Sequence, residues 1–221
     1  GTRRTLEFAR HCGTKKFLLI SSGAVYGMQP PEITHISEDF SGALDTMNPR
    51  SAYGEGKRAA ELLCSFYAKQ FGIETKIARC FAFVGPYLPL DAHFAIGNFI
   101  RDGLDDDAIR IKWDGTPYRS YLYASDLIVW LWTILLKGRS CFPYNVGSDM
   151  GITIFDVASL VADQFEPRPR IEVASDLITS RSVERYVPST QRARQDLGLH
   201  QIVPFPEAVR QTIDWFRCVP R

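Results

Sequence analysis

The chain has 221 residues, 45% of them hydrophobic and 23% charged, an ordinary globular balance with enough apolar surface for one domain or two fused lobes. A formal net charge of +1 excludes the broad field that draws a protein to nucleic acid or an acidic membrane, and the longest apolar run, residues 127–136, is too short to span a bilayer. The cysteines at 12, 64, 80, 141 and 218 form no C-x-x-C pair and gather no histidines, so no metal site is expected; their odd number, without a secretion signal, suits the cytoplasm.

Residues 2–12 read as a helix ended near Gly13, and Lys16 to Ile20 as a short strand buried on both faces. A Pro-rich loop runs to Pro49. Residues 51–71 carry a helical stripe (Ala59, Leu62, Leu63, Phe66, Tyr67, Phe71) stopped by Gly72, and Thr75 to Phe83 reads as the next strand, closed by Gly85-Pro86. This alternation predicts an α/β fold with a parallel sheet. A helix is expected at 92–103. A strand at 109–113 should turn at Asp114-Gly115 into a second at 118–123, followed by an apolar helix over 126–137 capped by Ser125. Strand 141–146, a helix opened by Thr153 with Asp156 in capping-box-like spacing, and helices at 190–197 and 206–216 complete the chain. Cys64 and Cys80 read as buried thiols, the tryptophans at 113, 130, 132 and 215 as core, and Asp105 to Asp107 as a solvated loop.

The strongest chemical signal is Tyr53-Gly54-Glu55-Gly56-Lys57, preceded by Ser21-Ser22-Gly23-Ala24-Val25-Tyr26-Gly27. At i and i+4 on a helix, Tyr53 and Lys57 share one face. A phenol, with a reference pKa near 10, is a poor base at neutral pH by itself. An ammonium one turn away favours the phenolate, and the positive ring of an oxidised nicotinamide favours it further. Such a tyrosine can take a proton from a sugar hydroxyl while hydride leaves the same carbon. Ser22 lies just past the C-terminal end of strand 16–20, where open α/β sheets bind ligands. A Tyr/Lys pair on a helix is usually surface decoration; the strand ending in Ser-Ser upstream is what lifts this one above that background.

The segments LISSGAVYG, SAYGEGK, RCFAFVGPY, GTPYRSYLYASDL and YNVG occur in the order and spacing of the extended short-chain dehydrogenases, and over roughly residues 1–200 the chain resembles the NAD-dependent epimerase/dehydratase family. The resemblance implies the C-terminal part of a Rossmann-type parallel sheet (1–85, joined by 119–147) with a smaller mixed α/β substrate lobe (86–118 and 148–221). It implies Ser22, Tyr53 and Lys57 as the catalytic set; Ser21, Tyr53, Lys57 and Phe81 at an NAD or NADP cofactor; and Ser22, Asn98, Arg119 and Arg185 at a nucleotide-diphosphate sugar. Arg119, which suits bidentate phosphate contact, matches the family's diphosphate arginine. Members of the family pair through two helices, one matching 51–71, so the resemblance extends to a homodimer; it carries no nucleic-acid or membrane partner.

Two departures bear on function. No glycine-rich dinucleotide fingerprint occurs in these residues; the family carries it at the N-terminus, so most of the cofactor site is expected in a preceding segment on the order of 90–110 residues. Residues 23 and 24 are Gly and Ala, where the family's 4,6-dehydratases typically place Asp-Glu. Small residues there would leave room for a 4-keto sugar to turn over. The expected activity is therefore a nucleotide-sugar 4-epimerase. The alternatives are a 4-keto nucleotide-sugar reductase, a 4,6-dehydratase-related enzyme, or a non-catalytic fragment that keeps only sugar-nucleotide binding. Ala82, where many epimerases have Asn, weakens the transfer of substrate detail.

Overall fold

The computed structural model describes residues 1–92, 94–174 and 183–219. Helix α1 (Thr2–His11) leads into strand β1 (Lys16–Ser22), a 3-10 turn (Gly23–Tyr26) and helix α2 (Ala52–Phe71), which Gly72 ends in the left-handed conformation at φ 70°. Next come β2 (Glu74–Cys80), β3 (Phe83–Val84), α3 (Ala95–Leu104), β4 (Ile109–Ile111), β5 (Tyr118–Arg119) and β6 (Leu122–Tyr123). Then follow α4 (Ala124–Lys137), β7 (Pro143–Val146), β8 (Ile152–Thr153), α5 (Ile154–Ala162), β9 (Ile171–Val173), α6 (Gln191–Leu197) and α7 (Phe205–Cys218).

Strands β1, β2 and β7 form a parallel sheet in that order, with Ser22 opposite Cys80 and Cys80 opposite Val146. Parallel pairing brings all three C-terminal ends to one edge, so Ser22-Gly23, Phe81 and Gly147 become neighbours there. On α1 and α2, Leu6, Ala60, Cys64 and Tyr67 pack with Leu19 and Ile73. Trp130 and Ile134 of α4 pack with Ala78, Leu122, Tyr144 and Val146, joined by Ala193 and Leu199 at α6. A further core gathers Phe99 and Ile100 of α3, Val157 and Val161 of α5, and Val209 and Ile213 of α7.

Several expectations from the sequence are corrected. The strand starting at Thr75 stops at Cys80, and β3 leaves the sheet to pair with β6. The hairpin read across 109–123 does not form. Its first strand, β4, pairs in parallel with β9, while β5 pairs antiparallel with β8. Asp114 spends its carboxylate inside its own loop, accepting from the Thr116 N–H and hydroxyl. Ser125 is not a cap: α4 begins at Ala124 without a side-chain cap, and the adjacent Asp126 accepts instead from the N–H groups of Ile202 and Val203, tying α4 to the tail. Trp130 is core, but Trp113 and Trp132 are 67% and 59% exposed. Thr153 caps α5 as read, its hydroxyl accepting from the Asp156 N–H at 3.0 Å. Cys64 and Cys80 are buried.

Gly42 shows how tightly the Pro-rich loop folds back. At φ +60° it faces the carbonyl of Tyr26, and an added Cβ would lie 2.1 Å from that oxygen. Gly42→Ala is expected to cost about 1–3 kcal/mol, the range for a forced backbone conformation, and to lower the urea midpoint without changing the slope of the transition.

A candidate active site at the C-terminal edge of the sheet

The site grows from the end of β1. Ser22 is buried, and its Oγ accepts the Ala24 N–H at 3.2 Å, capping the 3-10 turn that follows. The first turn of α2 lies directly against this turn. Gly54 makes that contact feasible, since a Cβ there would be 2.6 Å from the Ala24 carbonyl oxygen. Arg58 clamps the junction by donating to the carbonyls of Val25 and Ser41, both at 3.0 Å.

Tyr53 and Lys57 stand on this end of α2. Lys57 donates to the Ile20 carbonyl at 2.8 Å, and its ammonium lies 5.7 Å from the centroid of the Tyr53 ring. The Tyr53 side chain is 61% exposed, so its phenol is open to a ligand. Tyr53 and Lys57 therefore lie side by side on the end of α2 that packs against the turn opened by Ser22. Ser21 is turned the other way, as alternation along a strand requires; its hydroxyl donates to Glu61 at 2.5 Å, and only its backbone is left to offer a cofactor.

Phe81 follows β2 and forms a wall. Its ring centroid is 4.6 Å from that of Tyr186 and 6.3 Å from that of Tyr26. Tyr186 is a residue that sequence reasoning missed. Its phenol lies beside Gly23, the residue after Ser22, and burial pushes its pKa up to about 12, with the neighbouring Ser22 hydroxyl opposing the shift. It therefore faces the site as a neutral hydroxyl. Gly23 is small for a reason other than sugar turnover, because a Cβ there would sit 2.7 Å from both Phe81 Cζ and the Tyr186 oxygen. Gly23→Ala is expected to force the aromatic pair apart at an overpacking cost of about 1–3 kcal/mol. Adding Tyr186→Phe, which removes the oxygen from that contact, should recover part of the lost thermal midpoint.

Arg119 and Arg185 lie together at β5. Arg119 pairs with Glu184 at 2.6 Å, and the Arg185 guanidinium stacks 4.1 Å from the centroid of the Tyr118 ring. The Tyr186 N–H donates to the Tyr118 carbonyl at 3.1 Å, which links this cluster to the Ser22 end. Asn98 lies on α3, where its side-chain oxygen accepts from Arg101 at 3.5 Å; among the described residues no hydrogen bond joins it to the Ser22 group. Among the described residues no group of His, Cys, Asp and Glu is placed to hold a metal, and no helix is long and apolar enough to cross a membrane.

The sequence pattern of the NAD dependent epimerase/dehydratase family matches residues 1–147. The chain is 32% identical over 216 residues to UDP-glucuronic acid decarboxylase 1 of Danio rerio, an alignment covering 98% of this chain and 50% of that protein. Among solved structures, UDP-glucose 4-epimerase from Thermotoga maritima superposes with a TM-score of 0.84 at 22% identity, over 98% of this chain and 68% of that one. A variant of UDP-glucuronic acid 4-epimerase from Bacillus cereus, in complex with NAD and UDP-4-deoxy-4-fluoro-glucuronic acid, gives a TM-score of 0.81 at 25% identity, over 98% and 66%. The chain spans about half the length of the Danio relative.

Proposed function

Because the chain belongs to the NAD-dependent epimerase/dehydratase family, we propose that it carries the reacting groups of a nucleotide-sugar 4-epimerase, an enzyme that oxidises a nucleotide-diphosphate sugar at C4 and reduces it on the other face. The observation that supports this most is the meeting of Ser22, Tyr53 and Lys57 at the C-terminal edge of the parallel sheet. The division into a Rossmann part (1–85 with 119–147) and a sugar lobe (86–118 with 148–221), a cytoplasmic setting, and pairing of two copies through α2 belong to the same proposal. Leu62 and Phe66, exposed on α2, are consistent with the pairing.

The donor chemistry fits a nicotinamide dinucleotide. Lys57 uses one ammonium proton on the Ile20 carbonyl, and an ammonium has three; two remain for the ribose hydroxyls, beside the exposed phenol of Tyr53. NAD or NADP, when bound there, would supply the hydride acceptor and donor for C4. Tyr53 removes the C4 hydroxyl proton and later gives it back. Ser22, which accepts the Ala24 N–H, holds the same sugar oxygen. Phe81 and Tyr186 wall off the reacting carbon. Arg119 exchanges the exposed carboxylate of Glu184 for the diphosphate, with Arg185 beside it, and Asn98 lies on the helix that closes the sugar pocket.

The name of the Danio relative favours a second reading with the same first step. If the sugar is a glucuronate, a ketone at C4 makes the C6 carboxylate a β-keto acid. The C5–C6 bond then breaks, CO2 leaves, and the resulting enolate is protonated at C5 before reduction. The test is to incubate the whole protein that carries this chain with NAD and either UDP-glucose or UDP-glucuronate, following the sugar by proton NMR. A C4 epimer supports the leading reading, and a UDP-pentose with released CO2 supports the second. Net NADPH consumption in a parallel incubation with NADPH and a 4-keto nucleotide sugar would point to a ketoreductase, and no product from any of these sugars would overturn both readings.

A further inference from the structure

We propose that the buried Glu61–Arg79 pair is a positioning device for Ser22, tying the helix that carries Tyr53 and Lys57 to both flanks of the turn that carries Ser22. The inference rests on the reading of these three residues as the reacting set. Glu61 lies one turn beyond Lys57, so residues 53, 57 and 61 share a face of α2. Arg79, on β2, binds Glu61 through two parallel contacts, Nε to Oε1 at 3.0 Å and Nη2 to Oε2 at 2.7 Å. Both side chains are largely but not fully buried, at 14% and 12% exposure.

From this pair two arms reach the turn. One is the Ser21 hydroxyl, which donates to Glu61 immediately before Ser22. The other is Arg79 Nη1, which donates to the Tyr26 hydroxyl at 3.0 Å, at the far end of the 3-10 turn, and also contacts the Glu38 carbonyl at 3.3 Å. Tyr26 in turn donates to Asn145 on β7 at 2.7 Å. Burial pushes the Tyr26 phenol up to about 12, which keeps it a neutral donor in this chain.

A buried ion pair is weak evidence for stability, because desolvation of both charges offsets their attraction. The bidentate fork, by contrast, fixes angle as well as distance. Here the fork fixes α2 relative to β2, and its two arms fix the residues on either side of Ser22. A misplacement of ~1 Å between reacting groups can cost about 100-fold in rate, so these contacts are where such an error would be prevented.

The experiment uses the whole protein with NAD and the nucleotide sugar it turns over, comparing Ser21→Ala, Glu61→Gln, the double variant and Tyr53→Phe. Ser21→Ala and Glu61→Gln are each expected to lower kcat about tenfold, with KM within about twofold of the parent. Because both act on the same bond, the double variant should fall well short of the product of the single effects. Ser21→Ala removes one hydroxyl and should leave the thermal midpoint within a few degrees, so it decides the matter if Glu61→Gln does not fold. A kcat within twofold of the parent in Ser21→Ala, with Tyr53→Phe inactive, overturns the positioning role alone. Full activity in Tyr53→Phe overturns the assignment of the reacting set and this inference with it.

Discussion

Replacing Tyr53 by Phe is expected to lower kcat about 10²–10⁴-fold, the range for removal of a general acid/base, while the thermal midpoint stays near that of the parent. The two halves of this expectation have separate causes. The Tyr53 side chain is 61% exposed, so losing its oxygen leaves no buried partner unsatisfied and changes little in packing. The same oxygen is the group proposed to carry the proton on and off the sugar, and Phe offers none. Nucleotide-sugar affinity, measured by calorimetry on the whole protein, should fall by no more than about 10–100-fold, since the loss of one hydrogen bond to a charged group is worth about 1.5–3 kcal/mol. Lys57→Met differs in kind: its ammonium holds the Ile20 carbonyl, and it is the group proposed to grip the ribose. Cofactor affinity should therefore fall along with kcat. Retention of kcat within threefold in Tyr53→Phe would remove Tyr53 from the chemistry.

The sheet and its catalytic helix were legible because their signals are local. Lys16 to Ile20 is almost wholly apolar, and the stripe from Ala59 to Phe71 ends at a glycine that does adopt the left-handed conformation. The hairpin assigned to 109–123 failed because the Asp-Gly signal is also local, whereas the partners of β4 and β5 come from residues 171–173 and 152–153; nothing near Asp114 announces them. The missing members of the site share that cause. Tyr186 comes to the Ser22 end from far along the chain, and Glu61 and Arg79 meet only across the contact of α2 with β2. Each acquires its meaning only when the parallel register sets the ends of β1, β2 and β7 side by side. Gly23 was legible as a small residue, but the reason for its size, the approach of Phe81 and Tyr186, was not.

Asn145→Ala should produce the largest loss of stability, about 3–5 kcal/mol at neutral pH. The side chain is fully buried. Its amide donates to the Ile36 carbonyl at 2.9 Å and the Ser189 carbonyl at 3.1 Å, and its oxygen accepts from Tyr26 at 2.7 Å. Alanine strands all three partners, and each buried group left unsatisfied costs about 1–3 kcal/mol. Since a domain has about 5–15 kcal/mol in total, the urea midpoint should drop steeply. Asn145→Asp gives the argument a sign in pH. A buried carboxyl facing two carbonyls has its folded pKa raised, as burial already raises that of Glu38, which accepts the Asn145 backbone N–H. The folded state then holds its protons more tightly than the unfolded chain, so stability falls as pH climbs from the unfolded pKa through the folded one. Asn145→Asp should therefore be less destabilised near pH 5 than near pH 8, while the deficit of Asn145→Ala relative to the parent should change little over that window. The consequence reaches the site, because Ser189 belongs to the segment that presents Tyr186 to Ser22. Fluorescence of the aromatic cluster and loss of turnover should both precede global unfolding in Asn145→Ala, whereas coincident transitions would mean that this amide supports the fold without separately holding Tyr186 in place.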